Sequence, residues 1–204
     1  MADFKPMIRL PDTFKLAILA MVLTGAGPRP GVYRITQGDV TFMATGKPGF
    51  LRINGKGAKP AGSFTVDAKN GLVSGEVTVK LDDFATGISL RDRHMKEKYL
   101  ETAKYPEGKF VANTLSLAGV HAESKNSGFA LPGTLTIHGK SRPATADTKI
   151  KAVAGTIEVR SSLETTLSDF DIAVPEYAGV KVADKVKVEI SFTATDDTDD
   201  GKKK

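Results

Sequence analysis

The chain has 204 residues, a net charge of +5, three histidines, and neither cysteine nor tryptophan. That length holds one large domain or two small ones, and 40% apolar against 26% charged residues is enough to bury a core. Without cysteine there are no disulfides, thiolate metal sites or cysteine nucleophiles, and three histidines leave little material for a transition-metal centre or a catalytic triad.

At the N-terminus, Arg9 and Lys15 precede the apolar run Leu16–Leu23, and Thr24-Gly25-Ala26 follow. This order predicts an export signal over residues 1–26 with cleavage near Ala26. The run is too short for a transmembrane helix, which needs about 20 apolar residues. Starting at Met7 instead of Met1 gives the more conventional signal; the competing reading is a buried N-terminal helix. Export would place the mature chain in the periplasm or outside the cell.

From Gly31 onward the apolar residues recur with period two, the mark of half-buried strands. The stretch Gly31–Gly55 predicts short, compressed opening strands. One lies around Val40, Phe42 and Ala44 and another over Phe50–Asn54, with a turn at Gly46-Lys47-Pro48-Gly49 between them. Phe64 and Val66 mark a further short strand. Asn70-Gly71 is a strong hairpin signal before the alternating run of Val77, Val79 and Leu81.

Ser89–Thr102 breaks the alternation. It lacks glycine and proline and places Leu90, His94, Tyr99 and Leu100 roughly on one face. This predicts a single short helix, with Ser89 as N-cap, Asp92 three residues on, and Tyr105-Pro106 as its stop. Strands follow over Lys109–Leu117, Phe129–Ile137, Pro143–Ile150, Ile157–Leu167 and Val186–Ala194. Turns at Glu107-Gly108, Asn126-Ser127-Gly128 and His138-Gly139 separate them. Asp196–Lys204 has four Asp, three Lys and no apolar residue, which predicts a disordered tail.

Strands this close in sequence pair mostly antiparallel, and closing them into a barrel removes exposed edges. The expected architecture is all-β: an antiparallel lipocalin-like eight-stranded barrel over residues 27–195, with the helix capping one end. A β-sandwich is the competing fold. The inward set of such a barrel is Phe42, Phe64, Val77, Val79, Leu81, Phe110, Leu135, Ile137, Ile190 and Phe192. Whether these fill a core or line a cavity is open, because periodicity reports facing and not the space between walls.

No constellation is catalytic. No two histidines share metal-ligand spacing with a carboxylate. His138 should point outward beside a turn, and His121 lies in a polar loop. Asp169 and Asp171 lie two apart in an expected loop. Removing both ends leaves 23 basic against 18 acidic residues. These alternate with apolar residues instead of clustering with aromatics, so no nucleic-acid partner is expected. A mildly basic surface suits transient contact with anionic lipid head groups.

Three ordered stretches carry a family pattern: Ile88–Met95 (ISLRDRHM), Ala103–Phe110 (AKYPEGKF) and Leu131–Ala144 (LPGTLTIHGKSRPA). Together with Ser168-Asp169-Phe170 and the Val186–Ala194 strand, they resemble the YceI-like family of bacterial lipid-binding proteins over about Gly31–Ala194. Met95 stands where the family's first motif has Leu, and Ser141 where its third has Thr. The resemblance implies a periplasmic barrel, often dimeric, whose tunnel holds a long isoprenoid chain and which has no established catalytic activity. Members are associated with isoprenoid-quinone handling or stress response, and some occur beside membrane b-type cytochromes. The family's first hairpin is usually longer than the one expected here.

The expected function is therefore non-enzymatic binding, sequestration or transport of an isoprenoid quinone or prenyl phosphate, with no cofactor and no metal. The ten inward residues would contact the chain, and Arg91, Arg93 and His94 would meet the head group. Two alternatives stand beside it: an enzyme acting on a hydrophobic substrate through His94 and Asp92, and a filled barrel serving as an interaction domain for a membrane cytochrome.

Overall fold

A computed structural model describes residues 29–47, 52–118, 128–153, 156–177 and 180–197. The expected signal over residues 1–26, His121, Asn126-Ser127 and residues 198–204 of the expected tail lie outside the described residues.

Ten strands form one antiparallel sheet: β1 (Gly31–Lys47), β2 (Arg52–Ala58), β3 (Pro60–Asp67), β4 (Leu72–Lys80), β5 (Glu107–Ser116), β6 (Phe129–Ile137), β7 (Lys140–Val153), β8 (Thr156–Thr166), β9 (Glu176–Tyr177) and β10 (Val180–Asp196). Their order is β2-β1-β3-β4-β5-β6-β7-β8-β10-β9, and β1 also pairs with β10. That last pairing closes β1, β3 to β8 and β10 into the expected eight-stranded barrel. β2 and β9 are additions that lengthen the wall at one end.

The opening strand is not compressed: β1 runs 17 residues. Its glycines permit close approach instead of ending the strand. A Cβ on Gly38 would lie 2.5 Å from the Ser191 carbonyl and 2.7 Å from Phe192 Cβ, so only glycine lets β1 bend against β10 here. Register shifts between Ile35 and Gln37 and between Ala44 and Gly46 absorb the extra residues. The strand continues through Gly46 and Lys47, where a turn was expected. β2 and β3 pair along the same side of β1, from Thr45 opposite Arg52 down to Gly31 opposite Val66, so they act as one strand interrupted at Lys59. The Asn70-Gly71 hairpin joins β3 to β4, with Gly71 at φ +67 and Asp67 accepting the Asn70 amide. β10 extends through Asp196, which pairs with Tyr33, so Asp196 is a buried strand end and not the start of the tail.

The segment between β4 and β5 is a cap. It leaves at Leu81 and returns at Pro106, where the Leu81 N–H donates to the Pro106 carbonyl at 2.9 Å. Its helix is shorter than expected: α1 covers Ser89–His94, and a π-helical turn over Met95–Tyr99 continues it. The N-cap is Ile88, with no side-chain capping bond, in place of Ser89. The run ends before Tyr105-Pro106, because Glu101 takes φ +46.

His138, expected on the surface, is 13% exposed and holds the cap to the barrel. Its Nδ1 lies 3.1 Å from the Phe170 carbonyl, which can only accept, so that nitrogen carries the proton. Its Nε2 lies 3.4 Å from the Glu101 carboxylate, and its ring packs edge-on against Tyr105 at 4.5 Å. His138 adopts φ +52 in the tight β6–β7 turn, which swings the ring inward.

Three buried clusters brace the wall. Tyr33, Val66, Leu117, Ile157, Val159 and Ala194 seal the end away from the cap. Val40, Ala58, Leu81 and Phe84 pack beneath the cap, and Leu135, Phe170 and Ile172 pack beside it. Replacing His138 with Ala removes the Phe170 bond and the Tyr105 contact, and should destabilise the fold by about 1–3 kcal/mol in urea denaturation. His94→Ala, which breaks no hydrogen bond described here, should change it by less than about 0.5 kcal/mol.

Candidate functional site

The strand alternation that points half of each strand inward leaves the interior open. A cavity of about 750 Å³ runs from the sealed end to the cap and extends beneath Ile53, Pro175 and Val182. Small-molecule sites span roughly 300–1,000 Å³. All ten inward residues expected from the sequence line it: Phe42, Phe64, Val77, Val79, Leu81, Phe110, Leu135, Ile137, Ile190 and Phe192.

The four phenylalanines among these ten, with Phe84 and Phe129 also on the lining, would ordinarily fill a barrel of this width. They do not, because glycines lie beside them on neighbouring strands. A Cβ on Gly55 would sit 1.9 Å from Phe42 Cε1, and one on Gly133 would sit 2.5 Å from Phe110 Cζ. The two rings therefore lie over bare backbone along the wall. Gly75 and Gly38 give the same clearance to Phe64 and Phe192, whose Cβ atoms would be 2.4 and 2.7 Å from an added Cβ. Phe42 is further fixed edge-on against Phe84 at 5.3 Å.

The lining is almost wholly apolar, and its deepest polar groups satisfy each other. Thr148 is 1% exposed; its hydroxyl donates to the Ala146 carbonyl at 3.3 Å and accepts from Ser161 at 2.7 Å. Nothing there requires a polar ligand atom.

Polar chemistry gathers at the cap, around a residue the sequence reading missed. The Thr86 N–H donates to Asp92 Oδ1 at 2.7 Å, and the Thr86 hydroxyl donates to the same oxygen. Arg91 Nε donates to that hydroxyl at 2.7 Å, and Arg91 Nη2 donates to the Thr86 carbonyl at 2.8 Å. Burial pushes the Asp92 carboxyl up, but the two Thr86 bonds and Arg91 outweigh it and leave its pKa below the ordinary value. Asp92 is thus engaged with Thr86 and makes no dyad with His94. Arg91 and His94 line the cavity, as do Lys98 and Tyr99. Lys98 was legible in helical spacing from Arg91 and His94; Thr86 lies in a loop and had no signal. Arg93 is exposed and off the lining. Among the described residues, no three His, Asp or Glu side chains come together to hold a metal ion.

Comparison with known proteins places this geometry. The YceI-like domain profile matches residues 33–194. Proteins of Pseudomonas savastanoi and Pseudomonas syringae known as UPF0312 are 32% identical over 97 residues, 47% of this chain and 47% of theirs. The match spans about half the length of these curated relatives. The crystal structure of Burkholderia cenocepacia BcnA superposes with a TM-score of 0.62 at 20% identity, covering 78% of this chain and 96% of that one. A polyisoprenoid-binding domain from Saccharophagus degradans gives 0.60 at 16% identity, covering 82% and 99%. The Campylobacter jejuni YceI protein gives 0.54 at 20%, covering 72% and 86%. These likenesses establish the shared fold.

Two expectations follow. In Gly55→Ala, the three atoms nearest the new methyl are ring atoms of Phe42, so the ring swings into the cavity while the backbone stays. Uptake of an apolar fluorescent probe by the cavity should fall severalfold, with a stability change of no more than about 1–3 kcal/mol. The acid response draws on Asp92, Asp171 and Asp184, and on Asp67, which hydrogen bonds from Asn70 hold low. Lys140 holds Asp171 low, and the Ser168 hydroxyl and N–H hold Asp184 low. Each carboxylate titrates lower folded than unfolded, so its contribution is complete above the unfolded value and lost as pH falls through the folded one. Thermal midpoints should drop below about pH 4, and Asp92→Asn should flatten that drop.

Proposed function

The chain belongs to the YceI-like domain family, and from that premise we propose that it binds one polyisoprenoid-type lipid, an isoprenoid quinone or a prenyl phosphate, and carries it without chemical change. The observation that carries this reading is the continuous apolar cavity, held open by glycine beneath phenylalanine. Each CH₂ transferred from water to such a lining gains about 0.8 kcal/mol, so a long chain binds tightly without directed polar contacts. The Saccharophagus degradans domain of the same fold is described as polyisoprenoid-binding, which supports the ligand class.

In this reading the apolar tail lies along Phe110, Leu135 and Ile190, and the head group meets Arg91, His94 and Lys98 at the cap. Arg93, expected among the head-group contacts, is left out because it faces solvent. The chain would act outside the cytoplasm after losing residues 1–26, as a homodimer or alone. A filled-barrel interaction domain is disfavoured by the open interior, and an enzyme using His94 and Asp92 by the engagement of Asp92 with Thr86.

Native mass spectrometry of the chain purified from its own host tests the proposal. A retained adduct of lipid mass is expected, and Val77→Trp, which fills the lumen, should displace it. If only the bare chain mass appears while a known lipid carrier keeps its cargo, the proposal is wrong.

A further inference from the structure

The cap has an outer side that neither the barrel nor the cavity explains. Ile88 is 53% exposed and Leu90 46% exposed, the two most exposed large apolar side chains described. They are neighbours at the start of α1, and both also line the cavity. An apolar rim around an opening is ordinarily turned inward or covered. Here it stands among cations: Arg91, Arg93, Lys96 and Lys98 lie on the next two turns. The same turns hold two acids, and Asp92 is drawn to Thr86, leaving Glu97. Glu101, just beyond, faces His138.

We propose that the stretch Ile88–Lys98 is a docking surface for an anionic bilayer, with Ile88 and Leu90 entering the acyl region and Arg91, Arg93 and Lys98 meeting head-group phosphates. The proposal rests on the lipid-carrying reading and deepens it. The residues that touch the bilayer are the rim of the cavity itself, so a lipid chain passes between membrane and lumen along a continuous apolar surface. Charge complementarity selects the occupant. Exposed apolar residues beside the exposed Arg93 and Lys98 fit a surface that presents phosphate above hydrocarbon. A protein groove of matching shape would also have to supply that density of negative charge.

Vesicle flotation of the full chain tests this, using vesicles of phosphatidylcholine alone and of phosphatidylcholine mixed with phosphatidylglycerol. The apolar N-terminal run is common to all variants, so the readout is the difference between them. The wild type should float with the mixed vesicles, more weakly as salt is raised. The double variant Ile88→Ser/Leu90→Ser and the double variant Arg93→Glu/Lys98→Glu should each lose about tenfold in partitioning. Val111→Ser, which changes an exposed apolar residue on the outer face of β5, should float like the wild type. All four positions are solvent-exposed, and circular dichroism of each variant confirms that the barrel is intact.

Equal flotation of wild type and both double variants overturns the docking surface. So does self-association that disappears in the Leu90 variant without any vesicle binding, since the rim would then be a contact between copies. Native mass spectrometry on the same samples separates the two claims. A chain that carries lipid but ignores anionic vesicles overturns the docking alone. A chain that floats through Ile88 and Leu90 but never carries lipid supports the docking and removes the cargo reading.

Discussion

The open interior depends on phenylalanine lying across glycine. An eight-stranded barrel is just wide enough to be filled by ordinary side chains. With six phenylalanines lining the interior, close packing is the default, and this chain avoids it at defined positions. Phe42 lies over Gly55 and Phe110 over Gly133, where the missing Cβ is the space the ring occupies. Glycine within a strand costs roughly 0.5–1 kcal/mol relative to alanine, and walls facing a void lose contacts they would otherwise make. A chain that accepts both costs several times over holds its lumen open against its own stability. The deficit is recovered when apolar atoms fill the space.

The cap is held at both ends by different chemistry. At its entrance, Thr86 receives Arg91 and donates twice to Asp92, which ties the loop to α1 through charged hydrogen bonds. At its exit, His138 bonds the Phe170 carbonyl through Nδ1 and packs against the Tyr105 ring, with the Glu101 carboxylate 3.4 Å from Nε2. All three non-glycine residues with positive φ among those described, Glu101, His138 and Asp171, belong to this exit junction. Backbone strain of that kind persists only where its surroundings over-determine it. Between the two anchors the π-helical turn packs Met95 over the Leu81–Phe84 cluster and Tyr99 beside Phe170, and Lys96 pairs with Asp82 at 3.8 Å.

Much of the fold was legible because alternation survives tertiary packing. Every strand from β4 to β8 lies where period two puts it, and the ten inward residues all reach the lumen. In the opening strands and the lumen, glycine was the reason reading failed. The glycines of Gly31–Gly55 suggested short, compressed strands and Gly46 a turn, yet Gly38 and Gly46 lie within β1, and at Gly38 a second strand approaches too closely for any side chain. The same ambiguity hid the cavity. Gly55 and Gly133 are indistinguishable in sequence from weak strand positions, and their meaning appears only when Phe42 and Phe110 are seen beside them. His138 was misplaced because alternation turned it outward, whereas a left-handed backbone at the turn brought it in. Thr86 had no signal, since its partners are set by the path of a loop.

The seam of the barrel joins its first strand to its last, from Tyr33 opposite Asp196 to Lys47 opposite Lys181. Such a pairing spans nearly the whole domain and is among the slowest contacts to form. Until β10 has been synthesised and has found β1, the sheet has two open edges and encloses nothing. A product that lacks Val180–Asp196 has no closed barrel. In the lipid-carrying role proposed above, a lipid lying on the half-wrapped sheet would be enclosed as the seam zips shut, so loading would be a step of folding and need not follow it.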